Sequence, residues 1–160
     1  MLGGFIRHQE VRECWRFVDG EWRLLPIAFT EDWDLPRLRE EASCLILAIS
    51  DGIPVFGAFD GDSLVGFGQL GERLGSWKQY IELVSYHVSA PYRGKGIGRR
   101  LFAAICDAAR VLGAEKLYIS AHSSRESQAA YRALGCIHAV EVDAVRAERE
   151  PCDVQMEYVL

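Results

Sequence analysis

The alternation of apolar and polar positions predicts a long strand followed by a helix in the middle of the chain. Residues 79–89 carry apolar side chains on both alternating sets, which is typical of a central strand covered on both faces. After Gly98, apolar residues recur every three or four positions as far as Gly113, a residue that suits the end of a helix. A turn rich in glycine and basic residues, at positions 90–98, joins the two elements.

A second strand and helix follow in the same order. Residues 116–121 form a short apolar run. Ser123 and Glu126 have the spacing of a capping box, which predicts a helix that begins there and ends at Gly135. The β-prone segment after this helix, residues 137–142, predicts a further strand.

The first third of the chain has a less regular pattern. Asp-Gly dipeptides at 19–20 and 60–61 lie between β-rich runs and are typical of tight hairpins. Between them, apolar residues recur at helical spacing over residues 38–49. Asp34 can cap this helix, and Pro36 suits its first turn.

With a last strand at residues 154–160, the predicted order is two hairpins around one helix, then strand–helix–strand–helix–strand–strand. This order predicts an α/β fold with a mixed sheet. A length of 160 residues corresponds to one domain.

Composition and charge exclude several classes of protein. With 49% hydrophobic and 26% charged residues, the chain has an ordinary globular composition. A net charge of −5 disfavours a nucleic-acid binder. The longest apolar run, residues 44–49, is too short to cross a bilayer, and the first residues lack the pattern of a secretion signal. We therefore expect a cytoplasmic protein with no membrane or nucleic-acid partner.

The cysteines do not have the spacing of a metal site. The five cysteines are scattered along the chain, and no two of them form a C-x-x-C pair. We therefore expect neither a metal site nor a disulfide framework. Cys44 and Cys106 lie among apolar residues and are expected in the core.

The glycine-rich turn carries the clearest chemical signal. Its alternating glycines allow a tight turn that exposes backbone N–H groups, and the helix that follows adds partial positive charge at its start. Basic side chains strengthen the attraction for an anion. The pattern predicts a phosphate or pyrophosphate site formed by Arg93, Gly94, Lys95, Gly96, Ile97, Gly98 and Arg99.

Two common nucleotide-binding signatures are absent from this turn. It does not fit GxxxxGK[ST], and GxGxxG fails because its last position falls on Arg99 or Leu101. The remaining pattern, R-x-x-G-x-G, resembles motif A of the GNAT family of N-acetyltransferases, whose loop amides bind the pyrophosphate of acetyl-CoA. Residues 129–136, A-A-Y-R-A-L-G-C, resemble a second element of that family, A-x-x-x-Y-x-x-x-G-F.

The resemblance covers residues 53–160, and the preceding part only in outline. It implies an α/β fold with a mixed, mostly antiparallel central sheet flanked by helices. Residues 53–160 would form the acetyl-CoA-binding core of one domain spanning residues 1–160, and residues 1–52 its acceptor side. The implied reaction moves an acetyl group from acetyl-CoA, without a metal, to the primary amine of a small molecule or peptide. A homodimer, common in this family, is left open.

The resemblance also implies roles for individual residues. Tyr131 corresponds to the general acid near the CoA sulfur. The backbone of His87 and Val88 would hold the pantetheine arm and the thioester carbonyl, where this strand splays from the strand at 116–121. Ser124 stands where the family often has asparagine, and its hydroxyl could replace that hydrogen bond to the pantetheine arm.

The central strand is expected to supply the general base. By simple alternation, Glu82 shares a strand face with Tyr86 and Val88, and it falls where related enzymes carry a base glutamate. A carboxylate in an apolar strand indicates either such a function or an ion pair with Arg or Lys at the strand's entrance. His87 is a competing titratable group, and a water relayed by Ser85 or Tyr86 is a third option.

Three residues are candidates for contact with the acceptor. Trp33 could wall an acceptor pocket, although tryptophans more often act as core or surface anchors. Tyr86 lies on the central strand. His122 follows the strand at 116–121, where a capping or surface histidine is the alternative. The acidic residues within 31–34 would suit a cationic amine or merely favour a helix start.

Two functions of other classes compete with the transferase. One is a regulatory module that binds acyl-CoA without turnover and would keep the glycine-rich turn. The serine at position 124 in place of the family's asparagine leaves this module open as an alternative, but the presence of Glu82 and Tyr131 argues against it. A nucleic-acid module that uses the basic residues of 93–100 is disfavoured by the acidic total charge.

Overall fold

The computed structural model describes residues 2–75 and 77–160. The strands are β1 (His8–Val18), β2 (Glu21–Asp32), β3 (Val55–Asp60), β4 (Ser63–Arg73), β5 (Tyr80–Val88), β6 (Lys116–Ala121), β7 (Ile137–His138) and β8 (Val154–Val159). The helices are α1 (Leu35–Ser50), α2 (Ile97–Val111), α3 (Arg125–Leu134) and α4 (Ala144–Arg149). No helix within the described residues is long and apolar enough to span a membrane.

Six of the strands form one sheet in the order β3-β4-β5-β6-β8-β7. Neighbouring strands are antiparallel, except that β5 and β6 are parallel. The strands β1 and β2 form a separate antiparallel hairpin. The prediction of a mixed, mostly antiparallel sheet flanked by helices is confirmed.

Helices cover both faces of this sheet. On one face, the α2 residues Leu101, Phe102 and Ile105 pack against Ile81 and Leu83 of β5. On the other face, α1 contributes to a second apolar cluster, which comprises Leu2, Phe5, Leu38, Leu45, Leu64 and Phe67. The sheet is therefore a buried layer whose central strands are fixed from both sides.

The parallel pairing of β5 with β6 is short. Tyr80, Ile81 and Glu82 pair with residues 116–118, and no further β5–β6 pair is found among the described residues. Beyond this point the two strands diverge, which confirms the predicted splay of the central strand from residues 116–121.

The β1–β2 hairpin bridges the gap between the diverging strands. On the β5 side, Arg93 donates to the His8 carbonyl of β1 at 2.7 Å, and the Ala90 N–H donates to the carbonyl of Ile6, two residues before β1, at 2.8 Å. On the β6 side, the Trp15 N–H donates to the Ser123 carbonyl at 2.8 Å. The N-terminal hairpin thus fixes the separation of the two strand ends.

A β-bulge reverses the alternation of side chains in the middle of β5. Ser85 pairs with Gln69, but Leu83 pairs with Leu70, so Val84 is an extra residue on β5. Leu83 pairs with Leu70 and Tyr86 pairs with Gly68, and these two β4 residues lie on the same face because they are two positions apart. Leu83 and Tyr86 therefore share a face, and Glu82, next to Leu83, lies on the opposite one. The expectation that Glu82 shares a face with Tyr86 and Val88 is therefore wrong.

The N-terminus of α3 and the surroundings of Cys44 differ in detail from the sequence prediction. The helix cap is Ser124, whose hydroxyl accepts from the Ser127 N–H, whereas the hydroxyl of Ser123 is engaged by Arg16 at 2.6 Å. Cys106 is buried as expected, but Cys44 lies on the outer face of α1 and is exposed.

The strand predicted at residues 137–142 is shorter than expected. It ends after His138 because the Val140 N–H donates to the Glu157 carboxylate instead of continuing the β7–β8 ladder. The chain then turns into α4, which was not predicted and which Asp143 caps. This turn matters for the site, because it brings residues 146–153 back over the sheet.

Removing part of the α2 contact should destabilise the fold. Ile105 is 0% exposed in the core beneath the sheet. We expect Ile105→Ala to lower the free energy of unfolding by about 2–5 kcal/mol. Val111 on the same helix is 87% exposed, so Val111→Ala should change it by less than about 0.5 kcal/mol. Urea denaturation measures both, and equal losses would contradict this packing.

Candidate active site

The divergence of β5 from β6 opens a cleft of about 1200 Å³. Its lining comes from residues 82–88 of β5, from parts of the turn at 90–99, from one face of α3, from the β1–β2 hairpin and from residues between 146 and 153. Within the described residues, no group of His, Cys, Asp or Glu side chains is arranged to hold a metal ion.

The glycine-rich turn presents bare backbone at one end of the cleft. Gly94 and Gly96 have φ values of 73° and 79°, in the left-handed region that side chains strain to adopt. Gly96 also forms the N-cap of α2. An added Cβ at either glycine would meet no atom within 4 Å, so the backbone there is uncovered. Uncovered amides beside a helix N-terminus fit a pyrophosphate group.

The basic side chains of the turn have different surroundings. Arg93 donates to the carbonyls of Val88 at 3.0 Å and His8 at 2.7 Å, so it ties the turn to β5 and β1. The Lys95 ammonium lies 5.1 Å from the centre of the Tyr92 ring. Arg99 lines the cleft beside the glycines.

Two further residues of the turn pack closely on the sheet. Ile97 lies against Gly66 of β4, with its Cγ2 atom 3.5 Å from the position of an added Cβ. An added Cβ at Gly98 would lie 2.6 Å from the Tyr86 hydroxyl. Glycine at position 98 is therefore required by the close approach of α2 to β5.

Two tyrosines form the apolar floor of the cleft. The Tyr131 ring on α3 lies 6.0 Å from the Tyr86 ring, which packs in turn against Phe102 at 5.8 Å. Burial raises the pKa of both tyrosines above the usual range. Each hydroxyl consequently keeps its proton at neutral pH and can act as a hydrogen-bond donor.

On the opposite face of β5, Glu82 is held in an ion pair. Its carboxylate lies 2.7 Å from Nη2 of Arg146 at the start of α4. The same guanidinium lies 3.3 Å from the cap residue Asp143. This arrangement matches the ion pair that the sequence left open for Glu82, and it anchors α4 over the strand.

His87 and Trp33 form an aromatic wall on that same face. The His87 ring lies 4.8 Å from Trp33 and 5.3 Å from Phe67. Burial, together with the charges of Arg7, Arg93 and Arg37, lowers the pKa of His87 to about 3. A group with so low a pKa is neutral and a poor proton acceptor, so the structure disfavours His87 as the base.

His122 lies at the end of β6, where the cleft meets the hairpin. Its Nδ1 accepts from the Ser124 N–H at 3.2 Å, which leaves the proton of the neutral ring on Nε2. That nitrogen lies 3.9 Å from the Glu31 carboxylate, which Arg7 also holds at 2.7 Å. Burial lowers the pKa of His122, so the ring serves as a neutral donor toward the cleft.

The Ser124 side chain is enclosed and serves to cap α3. It is 0% exposed, and its hydroxyl accepts from Gln9 at 2.8 Å as well as from Ser127. Ser127, one turn along α3, does line the cleft. Sequence reasoning did not identify Ser127, although its position three residues after the cap places it on the same helix face.

Sequence reasoning also missed the charged residues that enter from distant segments. Arg7 directly precedes the hairpin and Glu10 lies in it, and Arg146, Glu150 and Asp153 come from the segment around α4. No local pattern marks these residues, because the hairpin bridge and the unpredicted turn into α4 bring them to the cleft.

Comparisons with known proteins agree with this architecture. A family model described as the acetyltransferase (GNAT) family matches residues 14–136. The chain therefore belongs to the acetyltransferase (GNAT) family, and its class of enzyme is an N-acetyltransferase. No curated protein sequence matches the chain.

Solved structures share the fold at low sequence identity. Nourseothricin acetyltransferase is 19% identical, with a TM-score of 0.71, over 98% of this chain and 89% of that one. A protein from Bacillus anthracis assigned as a streptothricin acetyltransferase, solved with acetyl coenzyme A, is 14% identical, with a TM-score of 0.72 and the same coverages. The PaiA N-acetyltransferase of Thermoplasma acidophilum, solved with coenzyme A, is 18% identical over 80% of each chain, with a TM-score of 0.60.

The close approach of Gly98 to the Tyr86 hydroxyl can be tested by adding a methyl group at position 98 and then removing the hydroxyl. Gly98→Ala should lower the free energy of unfolding by about 1–3 kcal/mol, because the packed Tyr86 ring cannot move aside. In the Tyr86→Phe background the obstructing hydroxyl is gone, so the same substitution should cost much less. Denaturant unfolding of the four proteins gives the coupling, and equal costs in the two backgrounds would exclude the proposed contact.

Proposed function

We propose that this enzyme transfers an acetyl group from acetyl-CoA to a primary amine by direct attack in a ternary complex. The observation that carries the proposal is the cleft between β5 and β6, which has uncovered glycine amides at one end and the Tyr131 ring in its lining. The proposal agrees with acetyl transfer, the reaction of the family.

The residues of the cleft fit acetyl-CoA. The amides of residues 94–98 would bind the pyrophosphate, with Arg99 adding positive charge. The edge of β5 that faces β6 is unpaired beyond Glu82 among the described residues. The backbone near His87 and Val88 is therefore proposed to hold the pantetheine arm, except for the Val88 carbonyl, which already accepts from Arg93. Ser127, rather than the enclosed Ser124, offers a hydroxyl to that arm.

The chemistry needs a neutral amine, a stabilised carbonyl oxygen and a proton for the departing sulfur. Backbone N–H groups of β5 would stabilise the oxygen as negative charge develops. Tyr131 would donate its hydroxyl proton to the departing sulfur. The proton that the attacking nitrogen loses in the same step would then restore the Tyr131 hydroxyl. This hydroxyl is protonated at neutral pH, as that of an ordinary tyrosine is, and burial raises its pKa further.

The base in this proposal is Glu82 or a relayed water. Glu82 lies where β5 and β6 separate, but its carboxylate is engaged by Arg146. The Ser85 hydroxyl is buried, lines the cleft and has no hydrogen-bond partner in the described part of the chain, so it can hold such a water.

The acceptor side would be formed by the N-terminal residues 1–52 together with the α4 segment. Trp33 and His122 are its proposed contacts, with Tyr86 at the floor. Glu31, Glu150 and Asp153 line this part of the cleft and favour a cationic amine, of a small molecule or a peptide.

Thermal unfolding with acetyl-CoA tests the proposed co-substrate. At 100 times its dissociation constant the ligand should add about 2.7 kcal/mol, or roughly 5–10 °C for a chain of this size. ATP and NAD serve as controls and should give no comparable shift. No shift with acetyl-CoA would overturn the proposal, and a shift without CoA release from any amine would instead indicate a binding module without turnover.

Replacing Tyr131 separates catalysis from binding. Tyr131→Phe removes the donor but keeps the ring, so kcat should fall by about 10²-fold or more, while the acetyl-CoA-induced shift in Tm stays unchanged. Tyr158→Phe, outside the cleft, is the matched control and should keep full activity. Equal losses of affinity and rate in Tyr131→Phe would give Tyr131 a binding role only.

A further inference from the structure

Asp153 lines the cleft next to His122 and has no side-chain partner in the described part of the chain. The β6–β8 register pairs Ala121 with Val154, so the next position places Asp153 next to His122. Asp153 lines the cleft, and in the described residues its side chain forms no hydrogen bond and no ion pair. It was not among the residues that the sequence indicated.

Charged groups from several elements surround this carboxyl. The negative charges of Glu150, three residues before it, and of Glu31 on β2 act on its pKa, and so does the positive charge of Arg16 on β1. The charge of Asp153 also reaches the Tyr131 hydroxyl on α3. Arg16 is engaged elsewhere, since it donates to the Trp15 carbonyl and the Ser123 hydroxyl.

These surroundings make Asp153 a better proton acceptor than an ordinary aspartate. Burial first, and then the negative charges of Glu150 and Glu31, raise its pKa from 3.8 to about 6. The carboxyl is therefore ionised at neutral pH, and it is about a hundred times more basic than in water because each pKa unit is a factor of ten.

The other candidate bases in the cleft that are at least partly buried are already engaged, whereas the carboxyls of Glu10, Glu126 and Glu150 in its lining are exposed to solvent. Arg146 occupies the Glu82 carboxylate at 2.7 Å, and Arg7 occupies that of Glu31 at 2.7 Å. The low pKa of His87 makes it a poor proton acceptor. The unprotonated nitrogen of His122, Nδ1, already accepts from the Ser124 N–H. Asp153 differs from these four side chains, because it is ionised, faces the cleft and has no hydrogen-bond or ion-pair partner in the described chain.

We propose that Asp153 receives the proton that the acceptor's ammonium group loses before attack, through a water held next to His122. This inference rests on the proposed function and chooses between its two bases: the relayed water carries the proton, and Asp153 instead of Glu82 receives it. The ammonium gives one proton to Asp153, which releases it to solvent. The neutral amine then forms the N–C bond, the C–S bond breaks, and the second nitrogen proton replaces the one that sulfur takes from Tyr131.

The test compares the pH dependence of kcat/KM for wild type and Asp153→Asn. The probes are spermidine and L-lysinamide, whichever the wild type acetylates faster, with CoA release as the readout. For wild type, kcat/KM should fall as the pH drops through about 6, because Asp153 becomes protonated below its pKa. Asp153→Asn should lose about 10²-fold at pH 7.5 and lack this acid limb, and Asp153→Glu should restore part of both.

Controls separate this role from folding and from simple binding. Asp153→Asn must keep the acetyl-CoA-induced Tm shift, and Asp62→Asn, in the exposed turn between β3 and β4, should keep full activity. An unchanged acid limb in Asp153→Asn would overturn the proposal, as would a rise in KM alone, which indicates an ammonium anchor. Release of no CoA with either amine, from a protein whose Tm acetyl-CoA still raises, would overturn the cationic-amine acceptor and with it the role of Asp153, while leaving the acetyl-CoA site intact.

Discussion

The short hydrogen-bonded contact between β5 and β6 is the constraint on which the rest of the structure depends. Two parallel strands held together over residues 80–82 must leave unpaired backbone where they separate, and such groups need partners. The hairpin supplies some of them at the strand ends, and Gln128 of α3 reaches the carbonyl of His122 at 3.1 Å. The remaining edge of β5 is the surface that an extended ligand can use.

The same divergence divides the cleft into two chemically different sides. The α2–α3 side has bare glycine amides, an arginine and apolar tyrosine rings, which suit a phosphate-bearing thioester. The side of the hairpin and α4 has ion pairs that fix its walls, notably Glu82 with Arg146 and Glu31 with Arg7. Asp153 is left outside these pairs, and in our proposal it takes the proton that the acceptor amine loses.

The sequence predicted the parts of the site that local patterns encode, and it failed where long-range pairing decides. The glycines of residues 94–98 and Tyr131 lie in contiguous motifs, so their positions follow from strand, turn and helix signals. The face of Glu82 could not be predicted, because the bulge at Val84 depends on how β4 pairs with β5. Asp153 was missed because the chain after His138 leaves the sheet to bond Glu157, a tertiary contact without a sequence signal.

Backbone amide chemical shifts, measured by NMR with and without acetyl-CoA, test the central claim most directly. If acetyl-CoA binds between the diverging strands β5 and β6, the chemical shifts of the amides of residues 94–98 and of β5 beyond Glu82 should change at saturation. The amides of the hairpin turn at Asp19 and Gly20 should remain unchanged. Unchanged amides in the glycine turn and in β5, with saturating acetyl-CoA present, would contradict the account.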